Sequence, residues 1–133
     1  MQGDFFDTNI ILYLTDEDPA FVEVSDRLVR DGGTISTQVL NETVNVLRRK
    51  LGFNWDEARE FLAGIRAKCD VVPVSAATHD LGLAYAELYQ LNVYDGMIVA
   101  ATALAGCTTL YSEDMHDGLF IDGLTIRNPY AAA

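Results

Sequence analysis

Residues 3–14, Gly3-Asp4-Phe5-Phe6-Asp7-Thr8-Asn9-Ile10-Ile11-Leu12-Tyr13-Leu14, decide how the rest of the chain is read. The short apolar run Gly3–Phe6 stops at three polar residues, after which Ile10, Ile11 and Leu14 take up helical spacing. That is a strand, a tight turn and a helix, with polar side chains collected at the junction. Pro19 opens a second helix that runs to Arg30, with Phe21, Val22, Val24, Leu28 and Val29 as its apolar face and Asp31-Gly32-Gly33 as its stop.

The same alternation continues downstream. A short strand at Thr34–Ser36 leads into a helix over Thr37–Lys50, which Thr37 caps and Leu51-Gly52 ends. Asn54 caps the next helix, Trp55–Lys68, with Glu57 placed for a capping box. Val71–Val74 reads as a strand whose Pro73 must sit at an edge or near its end. Thr78–Leu91 is helical, and Asp95 caps the very apolar helix Gly96–Ala105. Strands at Thr108–Tyr111 and Leu124–Arg127 close the chain. Short strands alternating with helices predict an α/β fold in which a mostly parallel sheet lies between helices.

The 133 residues carry 9 Lys+Arg against 20 Asp+Glu, a net charge of −11, and half of them are hydrophobic. This size suits one soluble domain, residues 1–130, with 131–133 as a short disordered tail, and its core needs no metal or disulfide staple. Cys69 and Cys107 lack zinc-site spacing and fit reduced core residues. The acidic opening has no basic leader, and its apolar stretch Ile10–Leu14 is far short of the ~20 residues of a bilayer span, so a cytoplasmic location without a membrane anchor is expected. The charge argues against broad, charge-driven nucleic-acid binding, which would need a local patch or a metal.

In a parallel α/β sheet, ligands sit beyond the carboxyl ends of the strands. That rule selects Asp7 after the first strand and Asp114 after the fourth. Asp95 and Glu42 can face the same edge from their helices. Taken singly, Asp7 and Asp95 serve as helix caps and Asp114 as a turn residue; Glu42 lies beside an apolar stripe, where a carboxylate needs a partner. Taken together, the acids repel: at ~5 Å and an effective dielectric of ~20, each like-charge pair costs about 3 kcal/mol. Protonation or a hard cation must offset that, and oxygen-only ligands point to Mg²⁺ or Mn²⁺.

Four motifs in order carry a family resemblance: Asp7-Thr8-Asn9, Leu40-Asn41-Glu42, Tyr94-Asp95-Gly96-Met97-Ile98-Val99-Ala100-Ala101, and Leu110-Tyr111-Ser112-Glu113-Asp114-Met115. Over nearly its whole length the chain resembles a PIN domain, with the length and spacing of the compact VapC-type toxins of toxin–antitoxin pairs. The resemblance implies a central parallel sheet flanked by helices and a Mg²⁺- or Mn²⁺-dependent endoribonuclease. It matches Asp7, Glu42, Asp95 and Asp114 to the family's acidic quartet. Asp7, Asp95 and Asp114 would hold the cation, and Glu42 would orient or deprotonate the water activated by it, leaving 5′-phosphate and 3′-hydroxyl ends. Thr8, Asn9 and Ser112 match supporting positions, and Asp117 ranks below the quartet as an outer ligand or a solvated loop residue. The implied partners are an RNA substrate, a cognate antitoxin and a second copy in a homodimer.

Arg48-Arg49-Lys50, at the end of the Glu42 helix, can grip substrate phosphates or simply complement the helix dipole. Phe21, Phe53, Trp55 and Phe61 can line a partner groove or pack in the core. His116, a lone loop histidine, stays outside the site. An aspartyl phosphatase would need an acid two residues after Asp7, where Asn9 stands, and no GxGxxG or P-loop occurs. The alternative that remains is a PIN-like module that binds RNA or protein without cutting.

Overall fold

Phe5 and Phe6 are fully buried in β1 (Asp4–Phe6), at the centre of a sheet that the rest of the chain wraps on both sides. The computed structural model describes residues 3–131, which form six strands, six α-helices and one 3₁₀ turn. After β1 come α1 (Thr8–Leu12), a 3₁₀ turn at Tyr13–Thr15, α2 (Pro19–Arg30), β2 (Gly33–Ser36), α3 (Thr37–Arg49), α4 (Trp55–Arg66) and β3 (Cys69–Val72). There follow α5 (Ala76–Tyr89), α6 (Val93–Leu104), β4 (Thr109–Tyr111), β5 (Phe120–Ile121) and β6 (Leu124–Arg127). The strand order is β3-β2-β1-β4-β6-β5. All pairings are parallel except β5 with β6. The expected α/β architecture, a mostly parallel sheet with helices around it, is the one observed.

The order locates a functional edge before any side chain is considered. From β1 the chain builds outward through β2 and β3, then crosses back through α5 and α6 to place β4 on the other flank of β1. The reversal leaves a crevice beyond the carboxyl ends of β1 and β4, where parallel α/β sheets bind their ligands. Their register pairs Phe6 with Tyr111, so Asp7 and Ser112 leave the sheet side by side.

Several boundaries moved. Ser36, not Thr37, caps α3 by accepting from Val39 N. Asn92, not Asp95, caps α6, which starts at Val93 and puts Asp95 in its first turn. Strand β3 begins at Cys69 and ends before Pro73; as an edge strand it meets the constraint that proline imposes. The two-residue strand β5 was not expected. The capping box of Asn54 and Glu57 and the bounds of α2 stand as read. Both cysteines are buried and unpaired.

Helices α5 and α6 form a tight pair. A Cβ on Gly96 would lie 2.5 Å from the Gly82 carbonyl oxygen, so the two backbones touch where no larger residue fits. Among the described residues no helix is long and apolar enough to cross a membrane. Of the expected tail, 131–133, residues 132 and 133 lie outside the described residues.

Candidate active site

Asp7 is the N-cap of α1 and is only 6% exposed. One carboxylate oxygen, Oδ1, accepts from Thr8 N at 2.7 Å, and the other, Oδ2, accepts from Ser112 Oγ at 2.7 Å. Ser112 is itself fully buried, and Asp7 N donates to the Tyr111 carbonyl at 3.0 Å. The cap reading of Asp7 is therefore true, but it is incomplete. An ordinary cap lies at the surface, and this one is sealed between two strand ends. Burial raises its pKa from 3.8 to about 6. The hydrogen bonds from Ser112 and Thr8 oppose the rise, and the charges of Asp95 and Glu42 add to it.

Glu42 comes to the same edge from α3 with the partners that its position demanded. Thr8 Oγ1 donates to Oε1 at 2.5 Å, and Gln38 Nε2 donates to Oε2 at 3.2 Å. Gln38 Nε2 also reaches the Tyr94 carbonyl at 3.1 Å, tying α3 to the first turn of α6. Gln38 was not singled out in the sequence. Its signal was its place four residues before Glu42, where side chains on one helix face meet.

Asp95, half-buried, accepts from Asn92 Nδ2 at 3.0 Å. Burial raises its pKa first, and the charges of Asp114 and Glu42 raise it further. Asp114 is exposed on the loop after β4, where Asn9 holds it: Asn9 Nδ2 donates to Asp114 Oδ2 at 3.0 Å, and Asn9 Oδ1 accepts from Glu113 N at 3.2 Å. Tyr13 donates to Glu113 Oε1 at 2.5 Å, a second brace on that loop. The structure thus brings Asp7, Glu42, Asp95 and Asp114 to one edge, with Thr8, Asn9 and Ser112 bonded directly to three of them.

Asp117 and Arg48 are engaged elsewhere. Asp117 Oδ1 accepts from Asn128 N at 2.8 Å, pinning its loop to the end of β6. Arg48 Nη1 donates to the Phe53 carbonyl at 2.8 Å, and the guanidinium lies over the Trp55 ring, 4.2 Å from its centroid. Its Nε is buried without a partner. Arg49 and Lys50 are exposed at the end of α3. Phe53 and Phe61 pack edge to face, whereas Phe21 stacks on Tyr13 beside Tyr130.

The charge on this edge has no counterweight among the described residues. Their ion pairs are Arg30 with Asp26 and Arg59 with Asp56, both on other helices. An all-oxygen set with two raised pKa values suits a hard cation. Among the same residues no group of three or more His, Cys, Asp or Glu side chains converges closely enough to hold an ion as it stands. A cation held at this edge would need water to complete its shell.

Comparisons with known proteins agree with this architecture. No curated protein matches the chain in sequence. Among solved structures, a toxin–antitoxin complex from Klebsiella pneumoniae aligns with a TM-score of 0.74 at 18% identity, covering 96% of this chain and 98% of that one. The sarcin–ricin-loop-cleaving VapC toxin of Mycobacterium tuberculosis aligns at 0.64 and 22% identity, covering 84% and 92%. The FitAcB structure from Neisseria gonorrhoeae aligns at 0.67 and 16%, covering 97% and 99%. At such identities the likeness is one of fold. The family model for the PIN domain matches residues 5–116, from the first strand through the loop that carries Asp114, and so the chain belongs to the PIN domain family.

Proposed function

We propose that the chain is a Mg²⁺- or Mn²⁺-dependent endoribonuclease and the toxin of a toxin–antitoxin pair. One observation carries the reading: in a PIN-family chain, a buried Asp7 sits where the strand order reverses, the charges of Asp95 and Glu42 act on it, that of Asp114 acts on Asp95, and among the described residues no Lys or Arg forms an ion pair with any of the four. Asp7, Asp95 and Asp114 would hold the cation, directly or through water. A bound divalent ion lowers the pKa of the attacking water and neutralises charge on the nonbridging phosphate oxygens.

The chain's own residues supply the rest. Glu42, held by Thr8 and Gln38, takes the proton from the water whose oxygen attacks phosphorus. The bond from phosphorus to the 3′-oxygen breaks and that oxygen gains a proton, leaving a 5′-phosphate and a 3′-hydroxyl. Ser112 and the Thr8 amide fix the orientation of Asp7, and Asn9 holds Asp114 within reach of the same edge. Arg49 and Lys50 are placed to meet substrate phosphates, with Arg48 as their stacked support on Trp55. The toxin role rests on the solved relatives, of which one is by name a toxin–antitoxin complex and another a VapC toxin. It brings a cognate antitoxin, a homodimer and a cytoplasmic setting with it.

The test is cleavage of total cellular RNA by the purified chain, free of antitoxin, with Mg²⁺ or Mn²⁺ against EDTA and Asp7→Asn. Discrete metal-dependent cuts with 5′-phosphate ends, lost in the mutant, are expected. Metal binding without any cutting would replace this reading with the non-catalytic module.

A further inference from the structure

The groove that begins at Glu42 runs away from the acids between the first turns of α3, α5 and α6 and encloses about 600 Å³, a volume typical of small-ligand sites. Its lining is unlike the acid edge. Met97 is buried at its base, Val74 and Val93 add apolar wall, and Tyr94 stands 69% exposed beside them. Asn41 and His79, both exposed, carry hydrogen-bonding groups at its rim. The shape is held by bonds between elements. Val74 N donates to Thr37 Oγ1 at 3.2 Å, and Gln38 joins Glu42 to the Tyr94 carbonyl.

We infer that this groove is a base-binding subsite: it takes one unpaired nucleotide beside the scissile phosphate, with the base stacked on Tyr94 and its edge read by Asn41 and His79. The inference rests on the nuclease reading, and it adds a source of sequence preference to it. Among the described residues that line the groove there is no Lys or Arg, so a strand gains nothing here from phosphate attraction. What the groove offers is an aromatic face, an apolar floor and amide and imidazole groups, the means by which proteins bind unstacked bases. A paired base, stacked within a helix, does not present its face to Tyr94. Asn41 also lines a second groove with Asn45, Arg49 and Trp55, so a strand leaving the first pocket along α3 meets the basic end of that helix.

The test uses short single-stranded RNAs randomised around one position and carrying a 2-aminopurine reporter, with binding read in EDTA and cleavage read in Mn²⁺. Tyr94→Ala is expected to weaken binding about tenfold or more, the loss of one base–aromatic stack, and to raise KM with kcat little changed. Tyr94→Phe keeps both, and Asn41→Ala changes which base is preferred at one position flanking the cut. Binding that depends on Tyr94 in a chain that cuts nothing would sustain the subsite and sink the nuclease reading. Tyr94→Ala and Asn41→Ala that bind and cut like wild type would overturn the subsite and leave the nuclease reading intact. A Tyr94→Ala chain that loses only its dimer in sedimentation would also overturn it, by assigning the face to a second copy.

Discussion

Helices α5 and α6 and the acid-bearing edge of the sheet are both packed regions, and they are built on opposite terms. Between the helices the backbones touch at Gly82 and Gly96, and α6 buries an unbroken run from Gly96 to Thr102. At the edge, Asp7, Thr8 and Ser112 are buried polar groups, and burial, added to by neighbouring carboxylate charge, raises the pKa values of Asp7 and Asp95. The first region gains stability from apolar contact; the second loses it to charge. Helix α6 joins the two, because Asp95 directly precedes Gly96. The tight helix pair thereby fixes where Asp95 stands, so stability gained in one place holds a repulsive cluster together in the other.

The largest expected effect follows from Asp7. Its folded pKa of about 6 lies above the ordinary 3.8, so its charge opposes folding. The penalty is absent below about pH 4, grows between about pH 4 and 6, and is complete above that, at about 3 kcal/mol. In EDTA, Asp7→Asn should therefore be more stable than wild type at pH 7.5 by about that amount, with the difference closing as the pH falls through this window. Denaturant melts of both chains from pH 3.5 to 8 measure it. A difference that does not vary with pH would mean that the edge is not held under charge strain.

The helix pair should respond in the other direction. The Cβ of Gly96→Ala meets a backbone carbonyl, which cannot swing aside, and should cost about 2 kcal/mol. Gly64→Ala is the control, because it lies within α4 with open space around its added methyl, and should gain about 0.5–1 kcal/mol from helix propensity. If thermal melting ranks Gly96→Ala level with Gly64→Ala, the close approach of α5 and α6 is refuted.

How much of this could be read beforehand divides along the same line. The alternation of apolar runs, the bounds of α2 and the Asn54 capping box are local patterns, written in consecutive residues, and they stand. Asp7 and Asp114 were legible as neighbours because strand ends in a parallel sheet share one edge, whereas Glu42 and Asp95, on helices, were matched to them by the family resemblance. What escaped depends on contacts between distant segments. Asn92 and Asp95 are both good caps three residues apart, and an apolar helix does not say which of them opens it. Strand β5 is two residues long and exists only through pairing with β6. Arg48 could be read as a phosphate ligand or as a cation complementing the helix dipole, and neither reading contained the turn at Phe53 that brings Trp55 under it. Gln38 bridges α3 and α6, a pairing that no stretch of sequence contains.

The smallest expected effect separates two residues of one loop region. Asn9 braces Asp114 and Glu113, whereas Asp117 braces Asn128, and each loses about 1 kcal/mol of hydrogen bonding on substitution by alanine. On stability alone they look alike. Mn²⁺ tells them apart: at ~100 times its dissociation constant it should stabilise the wild-type fold by about 2.7 kcal/mol. Asp117→Ala should keep that increment at the same Mn²⁺ concentration, because its carboxylate is committed to the end of β6. Asn9→Ala should lose part of it, because Asp114 is then free to turn away from the other acids. Equal losses in both would make Asp117 a fifth member of the acid group. No loss in either would leave Asp114 positioned by its own loop, and the brace from α1 would then matter to the fold alone.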